Sequence, residues 1–236
     1  MRAVTFNIHH GVNGDGRLNL ESIAETIESL HADVVGMQEV DRRFAERSEF
    51  VDQARMLSRR LGMRLAYGAA LNLEPADQNE PRRRYGNAIL ARYPIVRRNN
   101  VLLPRTAAVE QRALLRAQID IGDRLLDVYT THLEAHETGQ RALQAGAVAT
   151  AIANDEGPRI LLADLNARPD LAEMAAIAAV LRDGWAVGTG REFTYPAATP
   201  SRRIDVVMHS VDLRPSTASV VATTVSDHRP VVVDFE

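Results

Sequence analysis

The chain has 236 residues, 45% of them hydrophobic and 25% charged, enough for one globular domain with a sizeable core and no need of covalent staples. It has no cysteine, which excludes a disulfide framework, thiolate metal sites and a cysteine nucleophile. The net charge of −3 argues against a large uniform field attracting polyanions.

In chain order, residues 2–8 form a β-rich run, and Leu20, Ile23, Ile27 and Leu30 recur at helical spacing over residues 19–30. Residues 33–38 read as a buried strand, 52–61 as a helix and 63–67 as a strand. The polar stretch 73–84, with two prolines, reads as a loop. Strands at 87–91 and 95–102 flank a Tyr93-Pro94 turn, and strands at 113–121 and 124–131 flank Gly122-Asp123, a hairpin signal. A long alanine-rich helix at 137–154 precedes a strand at 159–163 and a helix at 170–181. Strands at 204–208, 219–224 and 230–235 close the chain. Helices interleaved with hairpins predict a mixed α/β architecture, not a purely parallel sheet. The opening run has no signal-peptide pattern and no apolar run approaches the ~20 residues that span a bilayer, so the expectation is a cytoplasmic protein without integral membrane association.

Polar residues gather at the strand ends. Asn7, His9 and His10 follow the first strand; Gln38-Glu39 ends the strand at 33–38; His132 ends another; Asp164 and Asn166 follow Ile160-Leu161-Leu162-Ala163; Asp227-His228 precedes the last. In α/β folds sites collect at such ends. Carboxylates and amide oxygens suit Mg²⁺, with Mn²⁺ as substitute. Glu39 and Asp227 are candidate ligands. Asp164 is placed to hold or deprotonate a water, with Asn166 fixing its direction. His228 is placed to stabilise developing charge or move a proton, with Asp205 to orient it. Each feature has a plainer reading. Asp164 to Pro169 is a natural turn and helix cap, His132 a satisfied buried histidine, and Arg82-Arg83-Arg84 a solvated loop. For His9-His10, strand alternation would point the two rings to opposite faces, which predicts a structural or substrate-loop role and not a metal pair.

Thr5-Phe6-Asn7-Ile8, Gln38-Glu39-Val40, Thr131-His132-Leu133, Ala163-Asp164-Leu165-Asn166, Arg203-Ile204-Asp205 and Ser226-Asp227-His228-Arg229-Pro230 occur in the order typical of the endonuclease/exonuclease/phosphatase superfamily. The chain resembles that family from residue 5 to 230. The resemblance implies a deoxyribonuclease I-like four-layer α/β sandwich, two packed mixed β-sheets flanked by helices, as one catalytic domain over residues 1–236. It implies Glu39 as principal Mg²⁺ ligand with Asn7 and Asp227 in the same metal region. Asp164 and Asn166 then align the water, and His228 contacts phosphate, oriented by Asp205. His132 resembles a second histidine that protonates the leaving group in some branches. Tyr85 and Asn87, in a strand resembling one that contacts phosphate, and Arg112, in Glu110-Gln111-Arg112, are implied substrate contacts. Whether Asp164 or His228 is the base stays open at this level.

The expected reaction is metal-dependent hydrolysis of a phosphodiester or phosphomonoester by in-line attack of water. Few aromatics and no basic helix favour a small or lipid-like phosphodiester, with a nuclease as the alternative. A non-catalytic binding protein of the same fold is disfavoured because every core position is filled. Oligomeric state is not readable.

Overall fold

The computed structural model describes all residues except 76 and 79, which fall inside the loop expected at 73–84. Twelve strands and four α-helices occur among the described residues. The strands are β1 (Arg2–Asn7), β2 (Val34–Arg42), β3 (Arg64–Leu73), β4 (Arg83–Ala91), β5 (Ile95–Leu102), β6 (Ala113–Asp120), β7 (Leu125–His132), β8 (Arg159–Asp164), β9 (Arg182–Asp183), β10 (Asp205–His209), β11 (Pro215–Val220) and β12 (Val231–Phe235). The helices are α1 (Leu20–Ser29), α2 (Gln53–Leu61), α3 (Thr138–Ala153) and α4 (Ala175–Val180).

Near-continuous apolar runs let central strands such as β1 and β8 bury both faces, and the result is four layers. One six-stranded sheet runs β11-β12-β1-β2-β4-β3, the other β5-β6-β7-β8-β10-β9. Both are mixed: β1 is parallel to β2 and β7 to β8, and the other named pairs are antiparallel. Ala3, Val34, Ile89, Leu115, Val128, Ile160, Leu162 and Val233 fill the space between the sheets. The opposite-facing Val4, Phe6, Val35 and Met37 pack against Ile23 and Ile27 of α1 and Leu57 of α2. On the far side Tyr129, Leu161 and Val206 pack against Val148 and Ile152 of α3 and Ile177 of α4. The first sheet comes so close to the second that a Cβ on Gly36 would lie 2.5 Å from Leu162 Cβ.

Local chemistry sets the element ends. Asn19 caps α1 by accepting from the Ser22 N–H at 3.0 Å, and Asp52 caps α2 through Arg55. Gly62, at φ 64°, ends α2 in the left-handed region. Several sequence expectations need correction. The strands expected at 63–67 and 87–91 are longer, β3 running to Leu73 and β4 starting at Arg83, because they pair with each other along that length and shorten the loop expected at 73–84. The helix expected at 170–181 is a 3-10 turn at Ala172–Met174 followed by the short α4, because Leu171 stays extended after Pro169 and no side chain caps the start. The strand expected at 219–224 lies earlier, at Pro215–Val220. There register with β12 ends at Val220 opposite Val231, and the chain then leaves the sheet edge to carry Asp227 and His228 inward. No helix among the described residues is long and apolar enough to cross a membrane.

Candidate active site

Strand register places the polar ends side by side. In the second sheet Asp164 at the end of β8 pairs with His132 of β7 on one side and with Asp205 of β10 on the other. In the first sheet Asn7 of β1 pairs with Gln38 of β2. Just beneath, Gln38 Nε2 donates across the gap to Thr130 Oγ1 (2.9 Å) and to the Leu162 carbonyl (3.1 Å), tying the two sheets together under the site. Beyond Gln38 the pairing of β2 with β4 shifts register between Met37 and Val40, and Glu39 takes φ 58°. A bulge of this kind re-aims a side chain, and Glu39 lines an open cavity of about 380 Å³ at this end of the sandwich.

Tyr85, Arg112, His132, Asp164, Asn166, Asp227 and His228 line the same cavity. Asp205 and Asn7 lie beneath it, both essentially inaccessible. Asn87 does not reach the cavity: its amide donates to the Ala113 carbonyl at 3.0 Å and it borders a small void behind Tyr85. That corrects its expected place among the direct substrate contacts.

The buried charges are arranged by opposition. His228 Nδ1 lies 2.9 Å from Asp205 Oδ2, and its Nε2 lies 3.8 Å from Asp164 Oδ2. Burial opposes a charge on the imidazole, but the Asp205 and Asp164 carboxylates outweigh it and hold the proton up to about 10. Burial and the nearby Asp205 charge push the Asp164 carboxyl up to about 7, against the pull of His228. Asp164 also accepts from Asn7 Nδ2 (2.9 Å) and from the Asn166 backbone N–H (2.9 Å). Glu39 runs the other way. Burial raises its pKa, yet hydrogen bonding from His10 and Asn7 wins and holds it well below the carboxylate range. Tyr195 packs its ring 4.7 Å from that of His228.

Arg112 Nη1, which can only donate, lies 3.0 Å from His132 Nδ1, so in the neutral ring Nε2 carries the proton, 2.8 Å from the Asn166 side-chain amide and 3.5 Å from Asp164 Oδ2. Burial, then the Arg112 charge, hold its pKa well below the ordinary value, so the ring is neutral. Arg112 Nη1 also meets Glu110 at 3.0 Å, while its Nε is buried without a protein partner. Burial and the Glu39 charge keep the Tyr85 hydroxyl protonated.

Glu39 and Asp227, both partly open to the cavity, supply the hard oxygen donors a divalent cation takes. Asn7 Oδ1 accepts from the His9 backbone N–H at 3.0 Å and its Nδ2 bridges Glu39 and Asp164, so it spaces the two carboxylates and keeps one lone pair of its oxygen beside Glu39. Asp164, Asp205 and His228 also bring donor atoms within 4.8 Å of one another, a spacing that can hold a metal ion.

Sequence reasoning missed His136, Tyr195 and Arg202, all at the cavity wall, where His9, expected in a structural or substrate-loop role, also lies. Residues 9–11 form a 3-10 turn outside β1, so strand alternation does not apply. The glycine after His9-His10 was the readable signal of a turn.

The profile of the Endonuclease/Exonuclease/phosphatase family matches residues 4–228. An endonuclease/exonuclease/phosphatase structure from Beutenbergia cavernae superposes with TM-score 0.80 at 24% identity, covering 100% of this chain and 71% of that one. A mannosyl-6-phosphatase from Bacteroides thetaiotaomicron gives 0.78 at 18%, covering 100% and 99%. D. rerio TDP2 complexed with single-strand DNA product gives 0.72 at 19%, covering 100% and 98%. At these identities the likeness establishes the fold. No curated protein is significantly similar to the chain.

Proposed function

The chain belongs to the endonuclease/exonuclease/phosphatase family, whose members hydrolyse phosphate esters, and from that premise we propose that residues 1–236 form one Mg²⁺-dependent phosphoesterase domain that cleaves a small or lipid-like phosphodiester. The observation that carries this reading is the convergence on one cavity of an ionised Glu39, a carboxyl of Asp164 tuned to about 7 and a protonated His228. Two titratable groups pushed apart by their surroundings are the mark of paired acid and base roles.

Glu39 and Asp227 would hold the cation, and Asn7 keeps Glu39 apart from Asp164. When bound, Mg²⁺ supplies charge neutralisation at the phosphoryl oxygens. Asp164 takes the water's proton: near neutral pH it has a usable ionised fraction and enough basicity to accept one. Asn166, whose backbone N–H holds Asp164 Oδ1, sets the direction of that water. His228 donates from Nε2 to a phosphoryl or leaving oxygen, and Asp205, accepting from Nδ1, orients the ring and balances its charge. Arg112, which lines the cavity, supplies positive charge to the anion, and Tyr85 adds a neutral hydroxyl. A cavity of about 380 Å³ suits a small ester better than a stacked nucleic acid.

Asp164→Asn and His228→Gln are each expected to lower kcat on bis-p-nitrophenyl phosphate by about 10²–10⁴ while the folded far-ultraviolet spectrum persists. Undiminished turnover in either variant removes that residue's role. Nicking of plasmid DNA at rates above those for the small diester would replace the substrate class with nucleic acid.

A further inference from the structure

Beside Glu39 and Asp227 the chain makes a tight turn through the left-handed region. His9, His10 and Gly11 hold φ of 46°, 42° and 79° in succession. Glycine accepts that region freely, but each histidine is strained there. The surroundings fix the turn from two sides: Asn7 Oδ1 accepts the His9 N–H (3.0 Å), and Gln53 Nε2 donates to the His10 carbonyl (2.6 Å). Had residues 9 and 10 extended β1, their rings would diverge. The turn instead sets the ring centroids 4.3 Å apart and brings one imidazole near each carboxylate.

The two rings have different tasks. His9 Nδ1 lies 3.1 Å from the Val12 carbonyl oxygen. A carbonyl only accepts, so Nδ1 carries the proton and Nε2 holds the lone pair. That ring lines the cavity with Glu39 and Asp227, its Nδ1 3.8 Å from Asp227 Oδ1. An N–H tied to a backbone carbonyl, which fixes the tautomer and leaves the other nitrogen free, is the arrangement of metal-binding imidazoles. His10 Nδ1 is 3.4 Å from Glu39 Oε2 and braces that carboxylate.

We infer that His9, through Nε2, is a further ligand to the divalent cation held by Glu39 and Asp227, that His10 orients Glu39, and that this mixed oxygen–nitrogen set selects a first-row transition ion such as Mn²⁺ over Mg²⁺. The inference rests on the reading of the cavity as a cation-dependent phosphoesterase site and refines which cation it takes. Mg²⁺ takes oxygen donors and keeps its waters, whereas imidazole is a favourable donor to transition ions. A site of carboxylates alone would give no reason to hold two histidines in a strained turn at its rim.

The test is Mn²⁺ binding to the intact protein, read by pulsed electron paramagnetic resonance independently of turnover. Wild-type protein is expected to bind Mn²⁺ with a ¹⁴N coupling that changes to a ¹⁵N pattern on selective ¹⁵N-histidine labelling, which needs no variant. Mg²⁺ competition should show a preference for Mn²⁺. In His9→Asn, chosen because asparagine tolerates the left-handed region, the coupling should vanish and the preference shrink by about tenfold. In His10→Gln the coupling should remain. Mn²⁺ bound in a manner abolished by Glu39→Gln but without histidine coupling in the wild type overturns the inference and leaves the phosphoesterase reading standing. So does coupling that survives His9→Asn. Failure of the wild type to bind either ion, together with turnover indifferent to metal, overturns both.

Discussion

At the residue scale, charge and burial make the site's stability depend on pH in a way that can be signed in advance. His228 keeps its proton to about 10 in the folded protein against 6.5 ordinarily. Its contribution is therefore complete below about pH 6.5 and is lost as pH climbs through 10. Asp164, raised from 3.8 to about 7, acts in the same sense: the folded state binds its proton more tightly, so stability declines between those values. Glu39 acts oppositely. Held below its ordinary 4.5, it stabilises above that pH and ceases to as pH falls. The thermal midpoint of metal-free protein is thus expected to fall from mildly acidic conditions towards pH 10, and His228→Gln should flatten the part above pH 7. A wild-type midpoint that climbs steadily from pH 6 to 10 would contradict the arrangement.

At the scale of the element, β2 carries the most demands. It is a central strand with β1 and β4 as neighbours, it faces the second sheet at Gly36, and it bulges at Glu39. Gly36 is there because of the sheet opposite. An added Cβ would meet Leu162 Cβ at 2.5 Å and Thr130 Oγ1 at 3.2 Å, and neither is the loose end of a long side chain. Gly36→Ala is expected to destabilise by about 1–3 kcal/mol through overpacking, read as a lower urea midpoint at unchanged slope. It should also disturb the Gln38 crosslink two residues on, and with it the footing of Glu39. An alanine variant as stable as wild type would mean the sheets can separate locally at little cost.

At the scale of the whole molecule, the site exists only when both sheets are in place. Asn7, Glu39 and Tyr85 come from the first sheet, His132, Asp164 and Asp205 from the second, and His228 from the segment before β12. A cation held by Glu39 and Asp227 would bind only the folded chain and so would add to global stability by mass action. At a hundredfold excess over its dissociation constant, Mg²⁺ or Mn²⁺ should add about 2.7 kcal/mol, or roughly 5–10 °C in a protein of this size. Glu39→Gln should abolish that increment. An equal rise in the variant would place the ion elsewhere.

The order of strands and helices was legible because apolar periodicity is a local property: Leu20, Ile23 and Ile27 announce α1, and Ile160 to Ala163 announce β8. The conjunction of Asn7, Glu39, His132, Asp164, Asp205 and His228 at strand ends was legible for the same reason. Where a neighbour decides, the reading failed. β11 was misplaced because its bounds follow its register with β12. The helix at 170–181 was overextended because Leu171 and Leu181 are extended on either side of the short turns. By itself the sequence determined the fold class, the layer assignment of its apolar residues and the chemical kinds of group available to the site. Only the tertiary structure decided their states and partners: that Asn7 bridges Glu39 and Asp164, that Asn87 turns away, that two histidines turn together towards the carboxylates, and that His228 is held charged while His132 is held neutral. Those outcomes depend on distances between residues far apart in the chain, and on the loss of water around them, which no local pattern encodes.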